Sequence, residues 1–536
     1  MKKFLVGCIA VLMTLTLSSC NVAGFIYSII GMLNTPAISL EYTLTQEDLT
    51  EFTQLVKDCE EAAMDGTNVL ALNLAMSELL EKFDYIDAQS NVGYLEYCQN
   101  QVDPTALAHY KESEAIMSSA RLQYMAMLKK LATESPIKDE LFAGWSEEDM
   151  AMLLVDNELV SALQLENSEI TRQFYALAED EKWSASVSDL YVQFVENNQE
   201  MAAAYGYDNY YEFASEQIYG RSYTAAQRTQ FRGYVASCVL PLYEDVYEEY
   251  STSYDALTDA QKLEYEALYG SREYLDGYID SFKGSINQKM SAMLTRKNAS
   301  IFAKGENALK GAFVDYISYF EQPIAYFGPG YQDVLTVVHE MGHYVAFHHF
   351  DQSILPYDLA ETHSQGSEWT FMAYMQSQEI TPAVYEAFYL ERALSGLITV
   401  LYSTIVDHFE ELVYTAETPI KADGYKALMD SVCAQYKGVE ESLAKTVQHT
   451  PFEYAQHVTI ASPVYYLNYA PSELASMGFY VIAQQKGYAS AQAAFTLLQE
   501  GVDPESDFLT AIKEAGLPSP LVKQTYVDLR TALLGE

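Results

Sequence analysis

Proline interrupts this 536-residue chain only 15 times. A proline inside a helix removes a backbone hydrogen bond and clashes with the preceding turn, so its scarcity leaves room for long helices. Apolar residues recur at helical spacing behind a cap at Thr45, with Leu49, Phe52, Leu55 and Val56 marking one face of a helix over residues 46–64. Leu70 to Phe83, Ala115 to Ala132 and Asp149 to Leu165 read in the same way. One segment departs from the pattern. Gln322 to Phe327 is short, apolar and β-leaning, and it ends at the turn signal Gly328-Pro329-Gly330. Such a segment can accept a second extended chain as an added strand, or serve as an ordinary structural strand. No repeat of fixed period and no low-complexity linker divides the chain. A soft break near residues 205–220 separates an N-terminal helical lobe, residues 41–205, from the region 206–536.

Charge narrows the function. There are 31 basic residues against 75 acidic ones, for a net charge of −44. A nucleic-acid reader needs a basic face, and none is visible. The excess acid reads as a solvated surface that keeps the protein soluble, with repulsion of anionic partners or a bias toward cationic peptides as the alternative.

The first residues read as a targeting segment. Lys2 and Lys3 precede an apolar run from Phe4 to Leu17, followed by Leu17-Ser18-Ser19-Cys20. This order describes a secretory signal over residues 1–19. The ending resembles a bacterial lipobox, which implies lipidation of Cys20, an extracytoplasmic lipid-anchored protein and a membrane-proximal tether over residues 20–40. Removal of 1–19 takes two lysines and no acids, moving the charge from −44 to −46. The apolar stretch Val22 to Leu33 is too short to span a bilayer. Beyond Cys8 and Cys20, Cys59, Cys98, Cys238 and Cys433 are widely spaced and form no zinc-ribbon pattern; buried free thiols are expected.

The chemistry concentrates at His339-Glu340-Met341-Gly342-His343. On a helix, residues four apart share a face one turn apart, so both imidazoles can bind one metal ion. Glu340 can face the open side of that ion and take a proton from the attacking water. Two imidazoles and a carboxylate suit zinc, and a catalytic site needs a third protein ligand. Asp333 sits at the expected helix start, and Gly342 is small enough to let another element approach. Downstream, Pro356 precedes a second expected helix carrying Glu361-Thr362-His363-Ser364 and Glu368.

These blocks resemble the thimet oligopeptidase and oligoendopeptidase F family of zinc metallopeptidases, in which a helix bearing Glu-x-x-Ser follows the first motif and a second Glu comes seven residues later. The resemblance extends to Phe327 through Thr336 and implies that Glu361 is the third ligand of a single zinc ion, Zn2+. Glu361 lies 18 residues after His343 and Glu368 lies 25 after it. The family's spacing favours Glu368, whereas the surrounding residues favour Glu361, and loops shorten more readily than motifs shift. Glu368 is then a candidate for orienting a ligand. His348, His349 and His363 are expected to be structural. The family also carries a histidine followed by tyrosines at plus 9 and plus 12, which from His457 are Tyr466 and Tyr469. Their hydroxyls can stabilise a tetrahedral oxyanion; Tyr465 is the weaker candidate. The implied fold is mainly α, with two helical lobes, a deep substrate channel and a short β segment beside the zinc helix; residues 206–536 are its catalytic part.

The implied activity is cleavage of internal bonds in short peptides, with no nucleic-acid partner. Two alternatives remain. One is a zinc carboxypeptidase of a related helical fold, which needs a cation to grip the substrate's C-terminus. The other is a lipid-anchored peptide-binding protein that has lost catalysis.

Overall fold

A computed structural model describes residues 38–155, 157–177, 187–352, 355–436, 438–439 and 450–535. The signal 1–19, Cys20 and the tether as far as residue 37 lie outside the described residues. The chain forms two compact units. One comprises residues up to Asn157 together with Gln288–Glu340; the other comprises Glu158–Asn287 and Met341–Glu536. The expected break at 205/206 therefore falls inside the second unit. Its helices before residue 287 pack on helices far along the chain: Arg232 pairs with Asp407 at 2.5 Å. Sequence adjacency gave no hint of that pairing.

In the first unit, α1 (Gln46–Asp65) starts on a capping box between Thr45 and Asp48 and ends at Gly66, whose φ of 63° is left-handed. α2 (Val69–Gln99) and α3 (Pro104–Glu134) follow, the latter with proline in its first turn and the Asp103 carboxylate accepting from the Thr105 and Ala106 amides. Phe52, Leu79, Phe83, Ile116, Tyr124 and Leu128 share their core. α2 runs well past the expected Phe83 because a second apolar cluster continues along it. Val92 and Leu95 pack there with Ile324 and Tyr326. The expected helix over 149–165 is instead two, Glu147–Leu153 and Asn157–Ala176.

β1 (Ser300–Phe302), β2 (Ala312–Ile317) and β3 (Gln322–Phe327) form a sheet of order β1-β3-β2. β3 is parallel to β1, with Ser300 opposite Ala325, and antiparallel to β2, with Val314 opposite Ala325. All six β3 residues are buried, as expected for a strand covered on both faces. Since β3 is bonded on both sides, it cannot take an added strand, and of the two roles open to Gln322–Phe327 it has the structural one. The sheet then delivers the chain to the next helix. A Cβ at Gly328 would meet the Leu309 carbonyl at 2.0 Å, Gly330 has φ 84°, and Gln332 Nε2 donates to the Ala303 carbonyl at 2.6 Å.

α4 (Val334–Ala346) starts there and crosses from one unit into the other between Glu340 and Met341. The second unit continues with α5 (Tyr357–Met375), α6 (Pro382–Tyr414), α7 (Pro451–Ala461), α8 (Tyr469–Lys486) and α9 (Tyr488–Glu500). α5 is buried almost all round and packs chiefly on α8. Its many Ser and Thr residues return hydroxyl hydrogen bonds to their own helix, as Thr362 does to the Asp358 carbonyl at 2.7 Å. That is how a polar sequence stays inside. No described helix is long and apolar enough to cross a membrane.

Candidate metal centre

Asp333 caps α4: its Oδ1 accepts from the Leu335 amide at 3.0 Å and the Thr336 amide at 3.1 Å. This satisfies donors that a helix start leaves orphaned. The capped helix fixes His339 and His343 one turn apart on the same side. Because both stand on one continuous helix, their relative placement is a property of α4 itself.

The carboxylate comes from α5. Gly342 allows its approach, since a Cβ there would lie 2.3 Å from the His363 carbonyl and 2.6 Å from Ser364 Cα. Gln499 of α9 staples the contact, its Nε2 reaching the carbonyls of both Gly342 and His363 at 3.4 Å. The helices close so tightly that Glu361 Oε2 stands 3.7 Å from His343 Nε2. One ligand atom each from His339, His343 and Glu361 lies within 4.8 Å of the others. Two donors each about 2.1 Å from a shared zinc ion stand no more than about 4.2 Å apart, so the His343–Glu361 pair fits that ion as it is. Glu340, next along α4 from the first histidine, is 5% exposed.

Glu361 is held from both sides. Ser364, the serine of the Glu-x-x-Ser pattern, donates to Glu361 Oε2 at 3.3 Å, and Tyr465 donates to Oε1 at 2.8 Å. Tyr469 donates in turn to the Tyr465 hydroxyl at 3.3 Å. Burial, and then the neighbouring Glu361 charge, drive the Tyr465 phenol well above its ordinary pKa, so it remains a donor. Tyr466, the expected plus 9 residue, shares its hydrogen bond with Tyr454 instead, and its ring meets Tyr454 edge-on at 6.2 Å. The turn thus brings Tyr465, the weaker candidate, to the carboxylate, while the Tyr466 hydroxyl is engaged by Tyr454. Tyr469, the plus 12 residue, joins this group through the Tyr465 hydroxyl.

Glu368 has a different partner from the one expected. It sits two turns beyond Glu361, but its Oε2 pairs with Arg392 Nε at 2.7 Å. Arg392 also pairs with Glu473 at 2.8 Å and stacks over Trp369 at 5.0 Å. Glu368 therefore helps neutralise a buried guanidinium within an α5–α6–α8 junction. His457, on α7, meets the Phe174 ring edge-on at 5.2 Å and is outside the His339–His343–Glu361 group. His363 is fully buried against Phe350, and burial lowers its pKa to about 3. His349 also packs on Phe350, and His348 on Tyr344. Cys59, Cys98, Cys238 and Cys433 are free thiols; all but Cys238 are buried.

The strongest unforeseen group surrounds the turn that carries Tyr465. Val464 has φ 61°, a left-handed conformation that a β-branched side chain strongly resists. Its amide donates to Glu410 Oε1 at 2.7 Å, and its carbonyl accepts from Arg221 Nη2 at 2.7 Å. Arg221 lies outside every motif, and the one sequence signal was its place in an aromatic-rich stretch at the soft break, Tyr219 to Tyr223.

The whole architecture matches solved structures. A PZ peptidase A determined with an inhibitor superposes with a TM-score of 0.67 at 16% identity, over 93% of this chain and 99% of that one. A protein described as an oligoendopeptidase F from Bacillus anthracis gives 0.66 at 16%, over 92% and 96%. An M32 carboxypeptidase from Deinococcus radiodurans R1 gives 0.53 at 11%, over 91% and 100%. No family model matches the sequence, and no curated protein does. This chain therefore has the mainly helical fold of those peptidase structures.

Proposed function

We propose that the protein is a zinc-dependent peptidase that cuts internal bonds of short peptides. The observation that carries this reading is the convergence of His339, His343 and Glu361, with Glu340 beside the first histidine on the same helix. A zinc ion held by those three residues would act as a Lewis acid, activating water and polarising the scissile carbonyl. Glu340 takes a proton from the water as its oxygen attacks the carbonyl carbon. It then returns that proton to the amide nitrogen as the carbon–nitrogen bond breaks. Tyr465 braces Glu361, and the Tyr469 hydroxyl, by exchanging its long 3.3 Å bond to Tyr465 for the substrate, becomes a neutral donor to the oxygen that gains charge. His457 is kept as a candidate donor to the same oxygen.

The test is mass analysis of a mixed peptide digest with and without a chelator, followed by zinc add-back. Internal cleavage that stops with chelation and returns with zinc supports the reading; chelator-resistant cleavage or none overturns it.

The likeness to a carboxypeptidase keeps a second reading in view. Arg221, Arg228, Arg232 and Arg392 are all engaged by the protein's own carboxylates and carbonyls, so none of these four is spare for a substrate's C-terminus. Amidating the C-terminus of a good substrate should leave its cleavage intact; abolished cleavage would favour the carboxypeptidase. A mature protein anchored to a bacterial membrane by lipid on Cys20 completes the proposal. Cys20→Ser should lose lipid labelling and membrane association. Retention in the membrane fraction would transfer the anchor to Val22–Leu33.

A further inference from the structure

Tyr219–Tyr223, between a π-helical turn (Ala214–Ile218) and the helix Ala225–Tyr234, cross two elements that share no sequence neighbourhood. Toward α5, the Tyr357 amide donates to the Tyr219 carbonyl at 3.1 Å, and the Tyr223 hydroxyl donates to Asp358 in the first turn of α5. Toward the Tyr465 turn, the Tyr219 hydroxyl donates to the Pro463 carbonyl at 2.6 Å. Arg221, 7% exposed, reaches the Val464 carbonyl at 2.7 Å, the Tyr465 carbonyl at 3.1 Å and Asn468 Oδ1 at 3.0 Å. Residues 220–224 belong to no helix or strand, and Gly220, with φ 65°, turns the chain between Tyr219 and Arg221.

The conformation at Val464 needs such a clamp. A β-branched residue with positive φ is strained and persists only where its surroundings over-determine it. Here the amide is held by Glu410 and the carbonyl by Arg221, on either side of the strained bond. The next residue carries the hydroxyl that braces Glu361.

We propose that Tyr219–Tyr223 is a positioning strap, and that Arg221 is the residue through which it sets the Tyr465 hydroxyl against Glu361. The strap ties the helix that bears the carboxylate to the turn that bears its hydrogen-bond donor, so the two hold a fixed spacing. Arg221 is a positioning residue; it acts through Tyr465 and touches none of the metal-binding side chains. The inference rests on the peptidase reading for its kinetic arm only.

The experiment uses Arg221→Lys, which keeps the charge but loses the planar fork that spans three acceptors. In the active enzyme, kcat should fall roughly tenfold with little change in KM and no loss of zinc, as for partners one layer behind a ligand. In a Tyr465→Phe background the same substitution should cost nothing further, because the hydroxyl it positions is gone. The structural arm needs no activity. In metal-free protein carrying 3-fluorotyrosine at position 465, the fluorine resonance should shift on Glu361→Gln and shift again on Arg221→Lys. Should Arg221→Lys fail to fold, Tyr219→Phe, which deletes one hydroxyl and keeps the ring, carries the same expectations. An unmoved resonance with unchanged kcat overturns the proposal, as does an equal loss with and without the Tyr465 hydroxyl. A wild-type protein that cuts no peptide sinks the peptidase reading, while the fluorine arm still decides the strap.

Discussion

His339 and His343 stand on one uninterrupted helix, whereas Tyr465 and Tyr469 straddle a turn, a short 3-10 segment over Tyr466–Asn468 and the first residue of α8. On the helix, a spacing of four residues already fixes geometry, since each step turns through the same angle. In the turn it does not. Val464 with φ 61° redirects the chain just before two successive tyrosines, and the first of them, not the second, reaches Glu361. A one-residue shift along a helix would be visible as a broken apolar face. In the turn nothing in the pattern opposes it, because Tyr465 and Tyr466 are identical side chains. The lesson is that motif spacing is trustworthy where regular backbone carries it, and needs the structure where a strained residue intervenes.

The comparison breaks most severely if the helix half is wrong. Glu361→Ala should abolish metal binding and with it all turnover, because two histidines alone leave the site one ligand short. Glu368→Ala should keep the metal, since its carboxylate serves Arg392. Its cost is in stability, on the order of 1–3 kcal/mol for one lost charged contact while Glu473 still pairs the guanidinium. Metal analysis and denaturant melts on the two proteins decide it. A metal-free Glu368→Ala beside a loaded Glu361→Ala would return the ligand to the position that family spacing favours.

Glu340→Gln tests the same half at its chemistry. The side chain stays nearly the same size and the three metal-binding residues are untouched, so zinc should remain. Loss of a general base typically costs on the order of 10² to 10⁴ in rate. Turnover at the wild-type level in zinc-loaded Glu340→Gln would mean that another group moves the proton.

These contrasts explain what could be read in advance. The α1–α3 helices, the metal helix and the Glu361 helix were legible because apolar periodicity, an Asp333 cap and a glycine at the crossing all act locally. Gly342 is a case where a single missing Cβ foretold a close approach. The division into units was not legible, since it depends on Arg232 finding Asp407 across 175 residues of sequence. Nor was the full pairing of β3, because an apolar six-residue run looks the same at the centre of a sheet as at its edge. Arg221 and Glu410 escaped for a related reason: each acts on backbone atoms of a distant turn, and backbone atoms leave no trace in sequence.

The tyrosine half is sharpened by Tyr465→Phe. Removing the hydroxyl takes one donor from Glu361 Oε1 and one acceptor from Tyr469. The effect should be roughly 10- to 100-fold in kcat, the range for partners that orient a ligand, with zinc affinity lowered as well. Steady-state kinetics and competition with a chromogenic chelator measure the two separately. A change in KM alone would place Tyr465 in substrate binding rather than behind the carboxylate.

Tyr466→Phe carries the smallest expected effect. The Tyr466 hydroxyl is spent on Tyr454, and its ring lies edge-on to both Tyr454 and Tyr465 at 6.2 and 6.3 Å. Deleting one oxygen keeps the ring packing, so the turn should stay in place. The loss of a neutral hydrogen bond costs about 1 kcal/mol of stability, read from denaturant melts. Its effect on the barrier should stay below about 0.7 kcal/mol, or roughly threefold in kcat. Tyr465→Phe and Tyr466→Phe remove the same atom from adjacent residues, so their ratio reports direction alone and cancels hydrophobicity, volume and ring electronics. A ratio above one in favour of Tyr466 as the damaging site would mean that the turn reorganises when metal or peptide binds, moving the second tyrosine to the position the first now holds. Fluorotyrosine at 465 would then change its resonance on zinc addition; a resonance that stays fixed while Tyr466→Phe is crippled would instead give Tyr466 its own contact with the peptide.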